Sequence, residues 1–168
     1  MDCNNFAECI DSLEKNRIGS CDSRECIMSS DTRKIVTFEE NKKKYVLNNI
    51  TRDEIVRFHV DGGMFTSNDV QKCDNLAVDI DSKIAIFVEL KGTDLRHGLE
   101  QISVVLNRLE QGLNKYRIYA RIVTSNRTNV PNIRVCPQYV ALNRKVQQYG
   151  GDVMVKPNII TEDISDFT

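Results

Sequence analysis

The stretch KIAIFVELK, positions 83–91, restricts the folds open to this chain more than any other. In an extended strand, Ile84, Ile86, Val88 and Leu90 share one face, while Ala85, Phe87, Glu89 and Lys91 share the other. Both faces are largely apolar, so the strand must be covered on both sides. An ionised group in such a place costs several kcal/mol unless it is paired or metal-bound. After Gly92 the apolar period changes from two to that of a helix. Leu95, Leu99, Ile102, Leu106, Leu109 and Leu113 form one stripe, with Thr93 or Asp94 as N-cap, and the spacing predicts a helix over 94–112.

Elsewhere, Phe6, Ile10 and Leu13 at i, i+4, i+7 predict a helix over 5–16. Strand patterns occupy 34–38, 44–49, 54–60, 74–80 and 116–124, the third ending at the turn Asp61-Gly62-Gly63. A helix over 137–150 stops at Gly150-Gly151, and 152–156 reads as a short last strand. The expectation is an α/β fold, a mixed β-sheet flanked by helices, in a single domain spanning 1–168.

Apolar residues make up 40% and charged residues 28% of the chain, which argues against disorder. The longest apolar run, IAIFV, is too short to cross a bilayer, and no basic region precedes an apolar leader; the expectation is a cytoplasmic protein without membrane contact. Six irregularly spaced cysteines do not form a disulfide framework, and the spacing of Cys3, Cys9, Cys21 and Cys26 suits a zinc site poorly. The net charge of −1 by itself argues against nonspecific coating of nucleic acid. It hides an asymmetry, however. No acidic residue lies between Gln111 and Gly151, where Lys115, Arg117, Arg121, Arg127, Arg134, Arg144 and Lys145 supply seven positive charges. A basic half beside an acidic centre suits phosphate held next to a cation-binding cluster.

The acidic centre takes shape if Asp81-Ser82 close a hairpin. Val78 then lies opposite Ala85, Leu76 opposite Phe87, and Asp74 opposite Glu89, so that Asp74, Glu89 and Lys91 converge on one face. Alone, Glu89 and Lys91 read as a surface salt bridge at a strand end. With an opposed Asp74, two carboxylates repel and one lysine offsets them only in part, whereas a divalent ion with hard oxygen ligands does so fully; Mg²⁺ or Mn²⁺ fits. On the following helix Asp94, His97 and Gln101 form a polar seam. Gln101 could bond the lysine, a water or a phosphate, while His97 reads as part of a solvated face.

These residues resemble the PD-(D/E)XK nuclease superfamily, the restriction-endonuclease-like fold. The matching positions are Asp74 in KCDNLAVD, Glu89 and Lys91 in FVELKG, and Gln101 in GLEQI, within an αβββαβ order whose core is about 54–124. The N-terminal hairpin is an insertion or addition to that core, as are the C-terminal helix and strand at 137–156. The resemblance implies metal-dependent phosphodiester hydrolysis with Asp74, Glu89, Lys91 and Gln101 as catalytic residues. Asp74, Glu89 and the Leu90 backbone carbonyl would be ligands to Mg²⁺ or Mn²⁺. Lys115, Arg117, Arg121, Arg127 and Arg134 would hold nucleic acid, DNA ahead of RNA. A first-helix acid of the family has four candidates here, Glu8, Glu14, Glu54 and Asp61. Restriction, repair and phage defence are roles of such proteins, often as homodimers or beside a partner protein. The alternatives are an inactive binding module of the same fold and an RNA-directed nuclease using the same site. Replacing Asp74, Glu89 or Lys91 by Ala is expected to abolish cleavage and leave folding intact or improved.

Overall fold

The computed structural model describes residues 5–15, 26–67, 71–90, 93–125 and 132–167. In chain order the elements are α1 (Phe6–Glu14), β1 (Ile27–Asp31), β2 (Ile35–Glu40), β3 (Lys43–Asn48), β4 (Ile55–His59), β5 (Asn75–Asp79), β6 (Ile84–Leu90), α2 (Leu95–Leu109), β7 (Arg117–Thr124), α3 (Pro137–Gln148), β8 (Val153–Pro157) and β9 (Ile159–Asp163). Single 3-10 turns occupy Ile133–Val135 and Ile164–Phe167. The fold is α/β. Six strands form a mixed sheet in the order β1-β4-β5-β6-β7-β8, antiparallel from β1 to β6 and parallel from β6 to β8. β2, β3 and β9 form a second, three-stranded sheet. No described helix is long and apolar enough to cross a membrane.

Strand β6 is buried at all seven positions, as its two apolar faces require. Ala85 and Phe87 join the helix-side core with Phe6 and Ile10 of α1, Leu99, Ile102 and Leu106 of α2, and Leu142 and Val146 of α3. Ile84, Ile86, Val88 and Leu90 join a second core with Val36, Phe38, Tyr45, Leu47 and Ile160. At roughly 1.5–3 kcal/mol for each large apolar side chain, both layers contribute substantially. The expectation of a sheet flanked by helices is therefore corrected on one face: a small sheet is the cover there. Its hairpin turns at Asn41 and Lys42, both at positive φ (46° and 64°), the geometry whose twist matches the flanking strands. β9 then adds in parallel to β3.

Local sequence also sets how α3 stops. Gly150, at φ 78°, donates its N–H to the Gln147 carbonyl, and Gly151 donates to that of Val146, the paired bonds that satisfy the last carbonyls of a helix. At Gly151 a Cβ would stand 1.8 Å from the Ile118 carbonyl oxygen, so only glycine lets the chain pass β7 this closely before entering β8.

Candidate active site

The hairpin of β5 and β6 has the register that places Asp74 opposite Glu89: Val78 pairs with Ala85, Leu76 with Phe87, and Asn75 with Val88. The ladder closes at Asp79 and Ile84, leaving residues 80–83 as the connection, with Lys83 at φ 56°. At the other end the two acids interlock. Glu89 Oε2 accepts the backbone N–H of Asp74 at 3.0 Å, and Asp74 Oδ2 accepts that of Leu90 at 2.7 Å. Glu89 is 1% exposed and Asp74 half-buried. A buried carboxylate keeps its place by accepting such donors, which favour the charged form. Cys73 reports the local field: burial pushes its thiol well above its ordinary pKa, and the charges of Glu89, Asp74 and Asp61 push it further.

Gln101 reaches this end of the sheet from the second turn of α2. Its Nε2 donates to the Lys72 carbonyl, which ties the helix to the segment leading into Asp74. Its Oε1 is buried without a hydrogen-bond partner among the described residues. Of the polar seam, Asp94 is used as the helix N-cap, accepting the His97 backbone N–H at 3.1 Å. Lys91 and Arg127 lie outside the described residues, as do Cys3 and Cys21. Cys9 and Cys26 are buried. Among the described residues, no group of three or more His, Cys, Asp or Glu side chains could hold a metal.

The four candidates for a further acid fall in different places. Asp61 follows β4 at the Asp74 end and pairs with Lys72 at 3.0 Å, the lysine being 7% exposed. Glu54 stands at the opposite end, where its N–H donates to Asp81. Glu14 is also at that end: Tyr116 donates to it at 2.8 Å and Lys83 pairs with it at 3.1 Å. Burial would raise the Glu14 pKa, but these two partners bring it below its ordinary value. Glu8 is exposed on α1.

The basic half needs correction. Arg121 is 2% exposed and faces no solvent phosphate. Its Nε pairs with Glu162 at 2.8 Å, its Nη2 with Asp152 at 3.0 Å, and the rings of Tyr119 and Phe167 flank its guanidinium at 5.2 and 5.3 Å. Burial works against its charge, yet the pair with Glu162 more than offsets this and raises its pKa. Arg117 pairs with Ile84, five positions before Glu89, so it lies roughly 16 Å away at the far end of the sheet. Lys115, which precedes β7, is at that end as well and is exposed. Neither converges with the two acids. Arg134 is exposed just before α3.

A second carboxylate pair, not anticipated from sequence, sits at the far end. Asp79, 2% exposed, accepts the N–H groups of Asp81 and Ser82 at 3.0 and 2.9 Å, while Ser82 Oγ donates to Asp53 at 2.9 Å. The other Asp79 oxygen is buried with no partner among the described residues. Burial, aided by Asp53 and opposed by the two N–H donors, pushes the Asp79 carboxyl up to about 6. The folded state therefore holds a proton that the unfolded chain releases near pH 4, and stability falls as pH rises between those values, by about 3 kcal/mol. Asp79→Asn keeps an acceptor for the turn and removes this drop. Urea titrations at pH 4 and pH 7 are expected to show the variant's advantage over wild type growing with pH.

Comparison with known proteins gives no match: no family model fits the chain, and no curated protein or solved structure is detectably similar to it.

Proposed function

We propose that this chain is a Mg²⁺- or Mn²⁺-dependent nuclease hydrolysing phosphodiester bonds, with DNA ahead of RNA as substrate. The observation that carries the reading is the interlocked pair Asp74 and Glu89 at the end of β5 and β6. Support comes from the order α1, β4, β5, β6, α2, β7, in which three antiparallel strands are followed by a helix and a parallel strand. With β1, β2 and β3 taken as additions between α1 and β4, this is similar to the αβββαβ order that the resemblance implies.

The donor set suits a hard divalent ion: two carboxylates whose orientation is set by backbone N–H groups, with the Leu90 carbonyl next in the chain. Asp74, Glu89 and Leu90 would hold the ion, which lowers the pKa of water and stabilises charge on phosphate when bound. Lys91, two residues beyond Glu89, neutralises negative charge developing on the phosphate. Gln101 orients the attacking water through its buried Oε1, its amide being anchored on Lys72. Asp61 is the further acid best situated to join them, and doing so would require it to leave Lys72.

One observation favours the second reading, a binding module without chemistry. Each carboxylate already accepts a backbone N–H of the neighbouring strand, a structural use sufficient to retain both. Incubating the protein with plasmid, linear duplex, single-stranded DNA and RNA, with Mn²⁺ or with EDTA, separates the two. Cleavage in Mn²⁺ alone is the expected outcome for the nuclease; intact substrates throughout would leave the module.

A further inference from the structure

We propose that the outer face of α3 is a nucleotide-binding cleft, separate from the acidic pair, that seats one unpaired nucleotide of a nucleic-acid strand with its phosphate between Arg134 and Arg144. The cleft holds about 430 Å³ and is lined by Arg134, Tyr139, Val140, Asn143, Arg144 and Gln147. Those from α3 fall at i, i+1, i+4, i+5 and i+8, which is one face of a helix. The volume is within the range of small-ligand sites and accommodates a nucleotide.

Charge selects the occupant. Lys145, next along the helix, is neutralised by Glu110 at 2.5 Å. Arg134 and Arg144 have no ion pair among the described residues. Two uncompensated guanidiniums across one hollow are a phosphate site. The other walls suit a base. Tyr139 is held by its hydroxyl, which donates to the Val153 carbonyl at 3.4 Å, so its ring is a fixed surface for stacking. Asn143 and Gln147 offer amides that match base edges, and in a hollow of this kind those edges are accessible only when the base is unpaired.

The cleft also lies in reach of a strand engaged at the acidic pair. Gln138, at the start of α3, donates to Glu100 at 3.1 Å, one residue from Gln101. The inference rests on the nuclease reading only for the nature of the strand, and binding can be read without cleavage. Fluorescence anisotropy with a labelled 20-nucleotide single-stranded DNA in EDTA is the test, on wild type, the double variant Arg134→Gln/Arg144→Gln, and Lys145→Gln. The double variant is expected to lose at least tenfold in affinity, with a salt dependence shallower by roughly 0.7 in log–log slope, as for one single-strand phosphate no longer neutralised. Lys145→Gln is expected to bind like wild type. Equal affinity in wild type and double variant, an equal loss in Lys145→Gln, or equal competition by duplex DNA or polyglutamate would each overturn the cleft. A protein that binds through these arginines yet cleaves nothing would retain the cleft and lose the nuclease. One that cleaves normally without them would do the reverse.

Discussion

Glu89→Gln is expected to lower phosphodiester cleavage by roughly 10³-fold or more, because the amide keeps the shape of the side chain and loses its charge. The choice of Gln follows from the geometry. Glu89 Oε2 accepts the Asp74 N–H, and a glutamine oxygen can accept it equally. Asp74→Asn likewise preserves an acceptor for Leu90 and is expected to be as inactive. Alanine is a poorer probe. It leaves a buried N–H unsatisfied at a cost of about 1–3 kcal/mol, against which relief of carboxylate repulsion is only a partial offset. The expectation that alanine variants fold as well as wild type or better is thus revised by these two hydrogen bonds. Thermal melts within a few degrees of wild type for Glu89→Gln, beside assays in Mn²⁺, separate lost chemistry from lost structure.

Arg121→Ala is expected to destabilise the protein by about 3–5 kcal/mol, the usual cost of removing one partner from a buried ion pair. For a chain of this size that lowers Tm by roughly 10 °C. The loss is large because Arg121 joins the two sheets. It projects from β7 onto Glu162 of β9, whose Oε2 also accepts the Tyr45 hydroxyl of β3 at 3.1 Å. Without the guanidinium, Glu162, 8% exposed, is a buried charge left with Tyr45. Pairing Arg121→Met with Glu162→Gln is expected to recover most of the stability, since no uncompensated charge then remains. Chemical denaturation of the two single variants and the double variant yields the coupling energy. Additive losses would mean that the pair is not what holds the layers together.

The parts of this molecule that were legible in its sequence are those governed by local pattern. β6 and α2 declared themselves through period and burial, and the register of β5 against β6 followed from a short connection. That register is what brought Asp74 and Glu89 into view. β1 was missed because IMSSD is a polar edge strand whose alternation is weak. β9 was missed because one of its two inward positions is an acid: beside Ile160, Glu162 stands where a second hydrophobic residue would have revealed the strand. Its partner Arg121 lies 41 residues away, so no local signal marks either as core, and Arg121 read instead as part of a basic surface. The Asp79 carboxyl was hidden for a similar reason, its environment being made by a turn and by Asp53 from another segment.

The most direct measurement is Mn²⁺ uptake at the acidic pair, by calorimetry and thermal melting, in wild type and Glu89→Gln. Saturable binding by wild type with a rise in Tm of about 5–10 °C at a hundredfold excess over Kd, lost in the variant, is the predicted result. A wild type whose melting is indifferent to Mn²⁺ and EDTA, or a variant that takes up the ion equally well, would contradict the account.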